Sequence, residues 1–107
     1  MIFRSDRRKR FTRIDNKMLK DSYLSDKARG LLCRMLSYRD DWQFYESELI
    51  KGSSDGRRSI HAAILELIEK GYIKRTLIED KGKERHFEYK IRETVDRPFT
   101  EKDKPNE

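Results

Sequence analysis

A mainly α-helical fold with a small β-hairpin, built as a three-helix core with a two- or three-stranded wing, is predicted by three observations. Ala28, Leu31, Leu32, Met35 and Leu36 recur at helical spacing. Ile60, Ala63, Ile64, Leu67 and Ile68 do the same, forming a second apolar stripe. Beyond Gly71 the period changes to the alternation of strands.

The elements follow in order. Phe11-Thr12-Arg13-Ile14 alternates apolar and polar, which predicts a short strand, and Asp15-Asn16 then caps a brief helix whose apolar side is Met18 and Leu19. Ser25 before Asp26-Lys27-Ala28 is a start signal, because its hydroxyl can accept from an orphan N–H of the first turn, and the first long helix runs to about Tyr38. Arg39-Asp40-Asp41 reads as a charged turn beside a buried Trp42, with Phe44 and Tyr45 adding bulky contacts. A short helix from about Glu46 to Lys51 carries Leu49 and Ile50, and Gly52-Ser53-Ser54-Asp55-Gly56 breaks it. Asp55 is the expected cap of the next helix, which runs to about Lys70, with Gly71 placed for a left-handed C-terminal cap. Two strands follow. Tyr72, Ile73, Thr76, Leu77 and Ile78 supply the apolar positions of one, Phe87, Tyr89 and Ile91 those of the other, joined through Glu79 to Glu84 with Gly82 near the tip.

The chain of 107 residues is expected to hold one domain: a flexible basic arm over 1–10, the folded unit over 11–91, and a disordered tail or linker over 92–107 where apolar residues nearly vanish. Only 35% of residues are apolar and 43% are charged, so the core must be small. The richest apolar stretch, Ala62 to Leu65, stops at Glu66, which argues against a membrane span and a secretory signal and predicts a cytoplasmic protein. The lone Cys33 fits a reducing compartment and a small hydrophobe in the helix stripe.

Charge points to a polyanionic partner. The net charge is +6, and the front of the chain is the most basic part, with Arg4, Arg7, Arg8, Lys9, Arg10 and Arg13 against Asp6 alone within residues 1–14. The order of helix, short helix, polar turn, helix and hairpin is that of a winged helix-turn-helix, which predicts that the third helix of the core reads double-stranded DNA. With Ile60, Ile64 and Leu67 turned inward, Arg58, His61, Ala62 and Leu65 point away, and Arg57 stands near the helix start, where a partly core-facing position is also open. Arginine forks suit guanine N7 and O6, and a helix N-terminus suits a phosphate. Ser53, Ser54 and Ser59 are candidate backbone contacts, as are Lys81, Lys83 and Arg85 of the wing. Arg7, Arg8, Lys9 and Arg10 can lie along a minor groove or on phosphates.

No catalytic group, metal site or cofactor is predicted. His61 and His86 fall in separate elements without a nucleophile at a recognisable spacing, and Gly52 and Gly56 frame a turn rather than a phosphate-binding loop. Asp40-Asp41 is explained as a solvated helix stop.

The stretch Phe11 to Arg75 also resembles a family. Phe11-Thr12-Arg13-Ile14-Asp15-Asn16 with Met18-Leu19, the Leu24-Ser25 step and Lys27-Ala28-Arg29-Gly30-Leu31-Leu32 form its first blocks. Asp41-Trp42 with Phe44 and Asp55-Gly56-Arg57 through Ala63-Ile64 and Leu67 to Gly71-Tyr72-Ile73 complete the pattern. Together these are similar to the winged helix-turn-helix domain at the front of phage and plasmid replication-initiator proteins of Gram-positive bacteria, related to DnaD-type proteins. The resemblance implies origin or operator binding in replication initiation, with replication proteins as further partners. A second copy of the chain is expected as well, because a single small winged domain reads few bases and paired half-sites raise specificity. A small transcriptional regulator of the same fold is the alternative. A winged module for protein–protein contact without DNA binding, using Leu65 beside Ala62, is the third reading.

Overall fold

A computed structural model describes residues 11–79, 82 and 85–95. Its elements are α1 (Asn16–Leu19), α2 (Asp26–Leu36), α3 (Glu46–Lys51), α4 (Arg57–Glu69), β1 (Ile73–Ile78) and β2 (His86–Ile91). They make a small α+β domain of four helices and an antiparallel hairpin, whose register runs from Ile73↔Ile91 to Ile78↔His86. Among the described residues no helix is long and apolar enough to cross a membrane.

The starts of α1 and α2 are capped by side chains. The Asp15 carboxylate accepts from Lys17 N at 2.7 Å, and the Ser25 hydroxyl accepts from Ala28 N at 3.1 Å. The exit of α4 is a double closure: Tyr72 N donates to Leu67 O at 2.9 Å and Gly71 N to Ile68 O at 3.1 Å, with Gly71 at φ +88°. This wrap satisfies carbonyls that a helix end leaves without partners and turns the chain directly into β1.

The core lies where α2 crosses α4 and the base of the hairpin closes over them. Met18, Leu32, Met35, Ile64, Leu67 and Ile73 are its fully buried large side chains, while Leu49 brings α3 into it and Tyr89 brings β2. Polar contacts fasten its rim. Glu66 of α4 accepts from both Ser25 N (2.7 Å) and Ser25 Oγ (2.8 Å), which ties the start of α2 to the middle of α4. These donors hold the Glu66 carboxyl below its ordinary pKa. Tyr72 donates its hydroxyl to Asp21 Oδ2 at 2.6 Å; burial and this carboxylate push the phenol up to about 12, and the bond lowers Asp21.

Several expectations are corrected. Residues 11–14 form no strand: the sheet described is two-stranded, and Phe11 is exposed, so the alternation there has no partner ladder to satisfy. Leu19 faces solvent because the single turn of α1 can bury only Met18. Asp55 does not cap α4. Gly56 occupies that position at φ +37° without a side-chain acceptor, and Asp55 N instead donates to Ser53 Oγ at 3.0 Å within the turn. Trp42 and Tyr45 are exposed, since Phe44 alone of the three turns into the core. Leu77 and Phe87, paired in register, are exposed because the hairpin extends past the core that buries Ile73 and Tyr89 on the same face.

Contacts to the domain also continue after residue 91. Arg92 N donates to Tyr72 O at 3.1 Å and Arg92 Nε to Gly71 O at 3.0 Å, and Glu93 accepts from Asp15 N at 2.8 Å. Residues 96–107 lie outside the described part, as do residues 1–10.

Candidate nucleic-acid interface

The placement of α4 begins with α3. Arg34 reaches from α2 to donate to Gly52 O at 2.6 Å and Leu49 O at 2.8 Å, covering the carbonyl end of α3 with a guanidinium that complements both its unpaired acceptors and its dipole. The turn that follows is short and locally bonded, with Ser53 N donating to Ile50 O at 3.2 Å and the Ser53 hydroxyl accepting from Asp55 N. Burial of Ile60, Ala63, Ile64 and Leu67 then sets the rotation of α4. Arg57, Arg58, His61, Ala62 and Leu65 fall on its exposed side.

Arg57 and Arg58 emerge together at the first turn, and among the described residues neither has a carboxylate or carbonyl partner. The same turn has no side-chain cap, so the leading N–H groups of α4 point out beside two guanidinium groups. Ser54 is exposed next to them, while Ser59 is half-buried and Ser53 is engaged in the turn.

His61 is placed differently. Its Nδ1 donates to the Glu46 carboxylate, at 3.1 Å to Oε2 and 3.2 Å to Oε1, linking the start of α3 to α4. With Nδ1 engaged, Nε2 is the ring atom left to meet a ligand. Glu46 also puts a carboxylate on the face that carries the two arginines' helix, a feature that the helical pattern of α4 alone does not reveal.

Between α3, α4 and the hairpin lies a cleft of about 360 Å3, lined among others by Glu46, His61, Arg75, Arg85 and Tyr89. Arg85 donates to Glu79 Oε1 at 3.2 Å across the base of the hairpin loop. Arg75 sits 4.4 Å from the centre of the Phe87 ring. Sequence reasoning passed over Arg75, although its signal is present: it stands two residues from both Ile73 and Leu77, so strand alternation puts it on their face. Lys81 and Lys83, and Arg7, Arg8, Lys9 and Arg10 of the arm, lie outside the described residues.

Burial pushes the Cys33 thiol up, away from the thiolate form that reacts. Among the described residues no three His, Cys, Asp or Glu side chains gather as metal ligands. No family model, curated protein or solved structure matches the chain.

Proposed function

We propose that this chain is a winged helix-turn-helix domain that binds double-stranded DNA sequence-specifically, with α3 and α4 as the helix-turn-helix, α4 as the reading helix and the β1–β2 hairpin as the wing. The observation that carries the reading is the pair Arg57 and Arg58: exposed, uncommitted among the described residues, and opening a 13-residue helix whose uncapped first turn offers N–H donors beside them. Two forks of this kind suit guanine edges, and the N–H groups suit a phosphate. His61 contributes through Nε2, its other nitrogen holding Glu46 in place. A net charge of +6 and the arm around Arg7 to Arg10 favour the same partner over long range.

The resemblance of Phe11 to Arg75 to replication-initiator domains extends the proposal to replication initiation of a phage, plasmid or other mobile element, in the cytoplasm. A protein-contact module is the second reading, and the exposed aromatic residues Tyr38, Trp42 and Tyr45 favour it.

Fluorescence anisotropy against a duplex library and the matching single strands, titrated across salt, tests the first reading. The expected result is duplex binding with a steep salt slope, a loss of about 1–3 kcal/mol for each arginine that contacts a base in Arg57→Ala and Arg58→Ala, and a flatter slope when residues 1–10 are removed. Absence of duplex binding at low salt, or unchanged binding in the double variant, overturns it.

A further inference from the structure

Exposed aromatic rings gather along the link from α2 to α3. Tyr38, Trp42 and Tyr45 line a groove of about 640 Å3, with Glu48, Leu49 and Lys51 of α3 on its other side. Tyr38 and Trp42 stack with ring centres 5.1 Å apart and planes 20° apart, and Phe44 holds Tyr38 edge-on at 5.6 Å. The Arg39 guanidinium lies 5.6 Å from the Trp42 ring centre. The rings are therefore held in place, yet 40% of Tyr38, 42% of Trp42 and 48% of Tyr45 remain in water. Ordered Trp and Tyr beside Arg is the composition of interface hot spots.

The charges around the groove decide what it fits. Arg39 pairs with Asp41 at 3.4 Å and Lys51 with Glu48 at 3.6 Å, so each cation has an acid beside it, and Asp40 adds one more negative charge. A nucleic-acid strand needs a surplus of positive charge along its track, and none exists here. In an interface formed about a two-fold axis the same patch meets itself, so a single-sign patch repels its copy, whereas interspersed charges of both signs around an apolar centre can be complementary to theirs.

We propose that this groove is the surface through which two copies of the chain pair. The exposed Tyr38 and Trp42 rings of one copy cover the groove of the other, and Lys51 of each copy faces the partner's Glu48. Arg57 and Arg58 belong to another element, so the pairing stands or falls independently of DNA binding.

Trp42 is the sole tryptophan, which makes its emission a local reporter of the surface. The test follows that emission for the full chain from nanomolar to high-micromolar concentration, alongside sedimentation equilibrium. The expected result is a monomer–dimer transition with a shift of Trp42 emission to shorter wavelength in step with it. Lys51→Glu alone and Glu48→Lys alone should each weaken pairing by about tenfold or more, because like charges then meet across the axis. Mixed in equal amounts, the two variants should pair again, one copy carrying only acids and the other only bases at these positions. Both side chains are largely in water, 75% and 66% exposed, so the exchanges leave the core untouched. A monomer at every concentration, a dimer with unchanged Trp42 emission, or a mixture no tighter than either variant alone overturns the proposal. Quenching of Trp42 in the monomer by a single-stranded oligonucleotide does so too, and assigns the surface to nucleic acid.

Discussion

The neighbours Ile64 and Leu65 test the rotation of α4, on which the outward direction of Arg57 and Arg58 depends. Ile64 is fully buried and Leu65 is 43% exposed, although the two are adjacent in the chain. Truncating Ile64 to Ala removes three carbons from a fully buried site in the core, and both the lost transfer energy and the cavity count against the fold. The cost is about 2–5 kcal/mol. For a folded unit of about 80 residues, each kcal/mol lowers Tm by roughly 4–8 °C, so the expected fall is on the order of 10–30 °C. That is a large share of the roughly 5–15 kcal/mol by which a domain is stable. Leu65→Ala should change stability by no more than about 0.5 kcal/mol, because its side chain is half in water and Ala is the better helix former. Urea unfolding followed by circular dichroism, with m compared between variants, measures both. Equal losses at the two positions, or a loss below about 1 kcal/mol at Ile64, would show that the helix is turned otherwise and that the arginines do not share an outward face.

Other outcomes follow from the same geometry. The Tyr72–Asp21 bond makes stability depend on pH at both ends of the scale: Asp21 is lowered from 3.8, so its contribution is complete above that value and is lost as pH falls through the folded pKa, whereas Tyr72 is raised from 10.0 to about 12, so its contribution is complete below 10 and is lost as pH rises toward 12. Tyr72→Phe should flatten both limbs in urea titrations run across pH, and two unchanged limbs would refute the assignment. Glu66, lowered by Ser25, adds to the acid limb in the same sense, so Glu66→Gln should flatten that limb alone. Gly71→Ala should destabilise by about 1–2 kcal/mol, because φ +88° is costly for a residue with a Cβ while the nearest atom, Val95 Cγ1 at 3.6 Å, leaves the methyl room. A neutral result in thermal melts would mean that the exit of α4 relaxes freely.

Much of the fold is legible in the chain because the signals are local. Ser25 before Ala28, the repeats through α2 and α4, and Gly71 at a left-handed exit each depend on spacing within a turn or two, and the elements observed begin and end within a residue or two of those marks. The outward placement of Arg58, His61, Ala62 and Leu65 is readable for the same reason, since burying Ile60, Ile64 and Leu67 leaves one orientation for them, whereas Arg57, at the helix start, is shown to be exposed only by the structure. What sequence left open are relations between elements. Alternation at Phe11 to Ile14 is a strand pattern, but a strand exists only where another backbone accepts its hydrogen bonds, and no local signal reports that partner. Trp42 and Phe44 are equally apolar, and only the path of the α2–α3 link decides that one is buried and the other is left at the surface. The bond of His61 to Glu46 and that of Glu66 to Ser25 join residues 15 and 41 positions apart. Helix periodicity thus determined which side chains α4 shows to solvent. Only the crossing of the helices decided which of them were already engaged, because an ion pair depends on distance in space, and that distance is set by how the cores of the elements pack.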